Sequence, residues 1–262
     1  MIVSTNVPGP GFAPPRPPGA RMLAAIDVEW SKNYRIRSGN VPFCYSVIWL
    51  PLSVGHTSTD LGTGRFWYAS VYVEETSESA GLAARADAAL ECLLEHASLI
   101  TGHQLCSDLA VLAAAATAPQ PPAIAAAATA WRQRRQDTSG RPRFLDTRYD
   151  AGHILSCQSR RLVDVCADLR LDVTQPELRG TSMTALHRRW LDLGDVTARE
   201  KITVLNLRHS LSTAMVAARA AGLAHWRPGL NVSRLLAREL GAAFGWLAHP
   251  VFTALLGEAD AA

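Results

Sequence analysis

Apolar residues first gather at Leu23 to Val28, a short apolar run suited to a central strand. They gather again from Pro42 to Leu52 and from Arg65 to Val73, where Val, Ile, Tyr, Phe and Trp favour extended backbone. The polar, glycine-containing stretch Ser53 to Gly64 between these two predicts a hairpin connection. The period then changes. Ser79 can cap a helix in which Leu82, Ala86, Leu90 and Leu93 recur at helical spacing, followed by a buried strand over Ala97 to Gly102 and a helix from Cys106 to Ala116. The order is β-β-β-α-β-α.

Beyond it the pattern weakens. Residues 117–143 are rich in alanine, proline and arginine and read as an insertion before a strand at Arg143 to Thr147. A helix around Ser159 to Leu169, a less regular stretch, and a long helix from Thr197 to Ala220 follow; Thr197 and Glu200 have capping-box spacing. Leu235, Leu236, Leu240, Phe244 and Leu247 form the stripe of a C-terminal helix stopped by Pro250, which packs on the domain or, alternatively, on a second copy. Residues 1–20, with six prolines among glycines, read as a disordered arm, so the domain spans 21–222 with a helical extension over 223–262.

Composition changes this picture little. Of 262 residues 48% are hydrophobic and 19% charged, enough apolar material for a buried core. The net charge of +3 excludes polyelectrolyte behaviour, and because only Lys32 and Lys201 are lysines, the arginine excess reflects coding bias more simply than a nucleic-acid surface. Still, Arg132, Arg134, Arg135, Arg141 and Arg143 form a basic knot in the insertion, either a solvated face or a track for a phosphate backbone. Cys44, Cys92, Cys106, Cys157 and Cys166 are odd in number and contain no C-x-x-C pair, so reduced core thiols are expected. No window approaches the ~20 apolar residues of a membrane span, and a cytoplasmic protein with no membrane partner is expected.

The candidate chemistry lies in acids at strand ends. Asp27 and Glu29 are two apart, so on an extended strand both carboxylates face the same way, where they repel each other unless they share a cation. Thr101 to Leu109 takes the chain out of a strand, through Gly102, His103 and Gln104, and sets Asp108 in the first turn of a helix, whose dipole favours it. Three strands, a helix, a strand and a helix with acids ending the first strand is the order of a ribonuclease-H-like fold: α/β, three antiparallel strands then parallel ones, flanked by helices.

Taken together, Asp27-Val28-Glu29-Trp30 and Gly102-His103-Gln104-x-x-x-Asp108 resemble the first two motifs of the DnaQ-like (DEDD) 3′→5′ exonucleases, Gln104 standing where Asn is usual. Phe144-Leu145-Asp146-Thr147 resembles the family's D-T strand, and Leu162 to Leu169 the helix before its third motif. The third motif departs from the pattern. If His209 is aligned with the family's base, Ala214 stands where the last carboxylate belongs; if it is aligned with that carboxylate, His209 substitutes as ligand and Leu205 replaces the base. His187 and Asp192 offer the H-x-x-x-x-D spacing elsewhere.

The resemblance implies a two-metal site for Mg²⁺ or Mn²⁺, with Asp27 bridging the ions, Glu29 on the nucleophile-side ion and Asp108 on the other. His209, as a neutral imidazole, takes a proton from the attacking water. The activity implied is stepwise removal of nucleotides from a single-stranded DNA or RNA 3′ end, with Trp30 and Tyr34 as stacking candidates. The alternative is a catalytically inactive exonuclease-like module that binds nucleic acid or a protein partner through the basic insertion and the C-terminal helix. A third reading is an unrelated α/β protein whose acids are surface residues.

Overall fold

A computed structural model of the chain describes residues 1–9, 13–32, 39–54, 58–117, 121–136 and 143–256; Tyr34 and Arg141 lie outside the described residues. The strands in chain order are β1 (Ile2–Thr5), β2 (Ala20–Lys32), β3 (Asn40–Ser53), β4 (Thr59–Asp60), β5 (Trp67–Tyr72), β6 (Leu99–Gly102), β7 (Phe144–Asp146), β8 (Leu171–Asp172), β9 (Ala224–His225) and β10 (Leu230–Asn231). The helices are α1 (Ser79–His96), α2 (Leu105–Ala115), α3 (Pro122–Gln133), α4 (Leu162–Asp168), α5 (Met183–Leu193), α6 (Val196–Ala220), α7 (Val232–Leu240) and α8 (Pro250–Thr253).

Six strands form one mixed sheet in the order β1-β5-β3-β2-β6-β7. The long pair β2 and β3 is antiparallel, as is β3 with β5, whereas β6 runs parallel to β2 and β7 parallel to β6. Helices cover both faces because β2 alternates strictly. Leu23 and Ala25 enter the core beneath α6 and α7 with Ile48 and Leu50. Met22, Ala24 and Ile26 enter the opposite core with Trp49 and the buried faces of α1, α2 and α3. Asp27 and Glu29 continue the odd-numbered series, so the pleat aims them towards α6. A register irregularity falls between Glu29 and Trp30, where the strand leaves the site.

Several expectations are corrected. Residues 2–5, read as part of a disordered arm, are β1, paired antiparallel with β5 from Ile2 opposite Tyr72 to Thr5 opposite Ala69. The free edge of β5 supplies the partner, and Asn6 locks the end: its side chain donates to Phe66 O (3.2 Å) and accepts from Tyr68 N (2.6 Å). The 117–143 insertion contains α3, whose Ala123, Ile124 and Ala127 are buried against α1 and α2; alanine there is a helix former, not a linker residue. The irregular stretch before the long helix holds α5, capped by Ser182 and ended by Gly194 at φ 65°.

The long helix is capped by Asp195, which accepts from Ala198 N at 3.0 Å, rather than by a Thr197/Glu200 box. Glu200 instead accepts from Trp246 N at 2.8 Å and ties the C-terminal segment down. The expected C-terminal helix is shorter. It ends at Leu240, while Phe244 and Leu247 reach the core from a separate turn, and Pro250 begins α8 instead of stopping α7. This segment shares the core of Leu23 and Leu50, so residues 232–252 complete the domain. Cys44, Cys106, Cys157 and Cys166 are free thiols. Among the described residues, no helix is long and apolar enough to cross a membrane.

Candidate active site

Two helices, a strand and a turn converge on one cavity of about 250 Å³. Asp27, Val28, Glu29 and Trp30 come from β2, His103 and Gln104 from the turn after β6, Asp108 from α2, and His209 from α6. Three acids and a histidine spread over more than 180 residues of chain thus share a single space, and the reading in which they are scattered surface groups is corrected.

The turn is built by Asp146, fully buried at the end of β7. Its carboxylate accepts from Gln104 N (3.0 Å), Leu105 N (2.9 Å) and Trp131 Nε1 (2.9 Å). Two of those amides belong to the first residues at the N-terminus of α2, where a carboxylate satisfies otherwise orphaned donors. Gln104 sits at φ 69°, a left-handed conformation unusual outside glycine, and its side chain donates to Ser107 Oγ at 2.8 Å. Gly102, two residues earlier, has no room for a side chain unless its neighbours shift: a Cβ there would lie 2.8 Å from Leu105 Cβ. The D-T pair therefore holds the second motif in place, Thr147 contributing a 2.9 Å hydrogen bond to His103 Nδ1. Asp108 follows one turn later, 3% exposed, with Oδ2 unpartnered.

On the other side, α6 brings His209 and Asn206. His209 Nδ1 is 3.2 Å from Glu29 Oε1 and 3.7 Å from Asp27 Oδ2. Asn206, one turn earlier on the same helical face, donates to Asp27 Oδ2 at 2.6 Å and to Asp27 O at 3.3 Å. The outer ring nitrogen of His209 meets Gln175 Nε2 at 3.0 Å. Candidate ligand atoms of Asp27, Glu29 and His209 all lie within 4.8 Å of one another; Asp108 lines the same cavity but stands outside that cluster.

Crowding of acids sets the proton affinities. Burial raises the Glu29 carboxyl, His209 opposes the rise, and the charge on Asp27 adds to it. Asp108 is pushed well above the usual carboxylate range by burial and then by the charges of Asp27, Glu29 and Asp146. Burial alone would lower His209, but Asp27 and Glu29 override it and bring the ring up to about 10. The two neighbouring carboxylates thus favour the protonated ring, while the Gln175 amide nitrogen at the outer position calls for an acceptor there.

The other third-motif candidates fall away from the cavity. His187 is buried in the core, stacked on Phe43 at 4.0 Å between ring centroids and hydrogen-bonded to the Tyr72 hydroxyl at 2.9 Å, and Asp192 is exposed. Ala214 and Leu205 are fully buried apolar residues of α6. Asn206 and Gln175 were not singled out from the sequence. Asn206 was within reach, three residues before His209 on a predicted helix; Gln175 lies in a stretch with no readable period. No protein-family model matches the chain, and neither does any curated protein or any solved structure.

Proposed function

We propose that the chain is a divalent-metal-dependent nuclease of ribonuclease-H-like architecture that removes nucleotides from single-stranded 3′ ends. The observation that carries the reading is the convergence of Asp27, Glu29, Asp108 and His209, from three separate elements, on one cavity. The strand order supports the architecture: with the added edge strand β1 set aside, β5-β3-β2-β6-β7 read by order of appearance is 3-2-1-4-5, with the acids on the central strand β2.

The residues fit a hard cation. Carboxylate oxygens suit Mg²⁺ or Mn²⁺ and the imidazole nitrogen suits Mn²⁺ better than Mg²⁺; ligand atoms of Asp27, Glu29 and His209 lie within 4.8 Å of one another, and the buried Asp108 Oδ2 has no hydrogen-bond partner among the described residues. Asp27, Glu29 and His209 would hold one ion, and Asp108 with Asp27 a second. A bound cation would lower the pKa of an attacking water and offset charge on the scissile phosphate. Asn206 fixes the Asp27 carboxylate through Oδ2, leaving its other oxygen for a ligand. Gln175 fixes the His209 ring through the outer nitrogen, so Nδ1 faces the acids. Asp146 and Thr147 hold the turn that sets Asp108. Trp30 lies at the edge of the same cavity, where a terminal base could stack on it.

The test is a 5′-labelled single-stranded DNA and RNA ladder incubated with Mg²⁺ or Mn²⁺. Stepwise shortening by the wild-type chain that is abolished in Asp27→Asn supports the proposal; shortening that survives Asp27→Asn removes the site. A second reading has its own observation. His209 Nδ1 stands 3.7 and 3.2 Å from Asp27 and Glu29, close enough for a protonated ring to neutralise them without a cation, as expected of an exonuclease-like module that binds oligonucleotides without cutting them. Retention of the ladder by gel shift with no shortening in either metal would favour that module.

A further inference from the structure

A second cavity lies at the opposite end of the sheet from the acidic site. It encloses about 600 Å³, inside the range of small-molecule sites and more than twice the volume of the acidic cavity. Its floor is apolar: Leu23 from the start of β2, Leu52 from β3, Leu99 from β6 and Leu145 from β7, all members of the core beneath α6. Leu23 precedes Asp27 by four residues of extended chain, about 13 Å, so the two spaces sit towards different ends of one strand.

The mouth is cationic. Arg21, Arg134 and Arg135 line it with a single carboxylate, Asp150. That carboxylate is already saturated: it accepts from Arg134 Nε (2.6 Å) and Nη2 (3.2 Å), from Arg135 Nε (3.0 Å) and from Asp146 N (2.9 Å). Burial alone would raise its pKa, yet these donors hold it below the ordinary carboxylate value. Arg134 is sequestered, 7% exposed and stacked at 4.1 Å on Trp131, but the Arg135 side chain is 65% exposed. Arg21, half-buried, has no ion-pair partner among the described residues. The negative end of α6 also points here, and His153 Nε2 engages its Ala220 carbonyl at 2.9 Å, so that oxygen is not left facing a ligand.

An apolar chamber closed by a surplus of guanidinium groups selects for one kind of small molecule. We infer that this cavity is a second binding site, for an amphiphilic carboxylate such as a medium-chain fatty acid. The chain of the ligand fills the space over Leu23, Leu52 and Leu99, and its carboxylate meets Arg21 and Arg135 at the mouth. The site is independent of the nuclease proposal.

Isothermal titration with decanoate, below its micellar concentration, tests the inference against decanol and decyltrimethylammonium as neutral and cationic counterparts. Saturable binding of decanoate is expected, with decanol about tenfold weaker for lack of the charge-assisted contact and no heat from the cation. Ala221→Trp, which projects an indole into the chamber from the half-buried end of α6, should abolish binding. Arg21→Gln should weaken it about tenfold and leaves the apolar core untouched. Asp27→Asn, in the acidic cavity, should bind decanoate as the wild type does. Absence of saturable binding to the folded protein, decanol binding as tightly as decanoate, or a titration unchanged by Arg21→Gln would each overturn the assignment.

Discussion

Glu177 and Arg208 form an ion pair with both side chains at 0% exposure, held by two 2.8 Å hydrogen bonds. Trp246 Nε1 adds a third donor to Glu177 at 3.1 Å. With no solvent to screen it, a pair whose charge centres lie about 4 Å apart is worth ~4 kcal/mol at an effective dielectric constant of ~20. Removing one partner forfeits that attraction and strands the other charge. Arg208→Met leaves a carboxylate with one neutral donor, and Glu177→Leu leaves a guanidinium whose Nε is already unpartnered. Each single change should cost about 3 to 5 kcal/mol, whereas the double replacement, which buries apolar groups of similar size, should cost less than either. Urea unfolding of the four proteins at one pH measures this. A Glu177→Leu loss under about 1 kcal/mol, or a double variant as unstable as the sum of the singles, would refute it. Because Gln175 lies two residues before Glu177 and contacts His209, the pair also braces the site.

Three further outcomes are expected. Asp108→Asn should raise the thermal midpoint in chelator, since the amide removes a buried acid facing Asp27 and Glu29, while weakening Mn²⁺ binding by calorimetry; an unchanged or lower midpoint contradicts the crowding argument. His187 is pushed down to about 4 by burial, so the unfolded chain binds the proton more tightly. Its contribution is intact above pH 6.5 and is lost as pH falls towards 4, by no more than about 3 kcal/mol. The comparison is the loss of urea stability between pH 7 and pH 4, which should be smaller in His187→Leu than in wild type; equal losses would show that the ring does not carry it. Gly102→Ala should destabilise by about 1 to 3 kcal/mol in urea, because its Cβ would press on Leu105 and on Ile26 O, and an unaffected midpoint would show that the turn can relax.

What the sequence made legible, and what it hid, follows from how far each signal travels along the chain. The central strands were readable because Leu23 to Ile26 and Phe43 to Leu50 are buried on both faces and, Ser46 apart, are apolar throughout. Ile2–Thr5 was hidden because its stability comes from the edge of β5, a partner far along the chain, rather than from its own composition. The carboxylates of the site were readable for a related reason: D-x-E uses the two-residue period of a strand, and the acid after Gly102 uses the first turn of a helix, both local geometries. His209 was found as a residue, but its proton affinity was not readable. Spacing placed it on a helix, but nothing in spacing says that Asp27 and Glu29 will stand 3.7 and 3.2 Å from its Nδ1, and those distances raise the proton affinity of the ring. The same limit explains Asp146. It was matched as one letter of a strand motif, yet its work is done on amides about forty residues earlier, where it builds the turn that carries Asp108. A site assembled from separate elements can be named from local periods, but its proton states depend on contacts that only the closed fold creates.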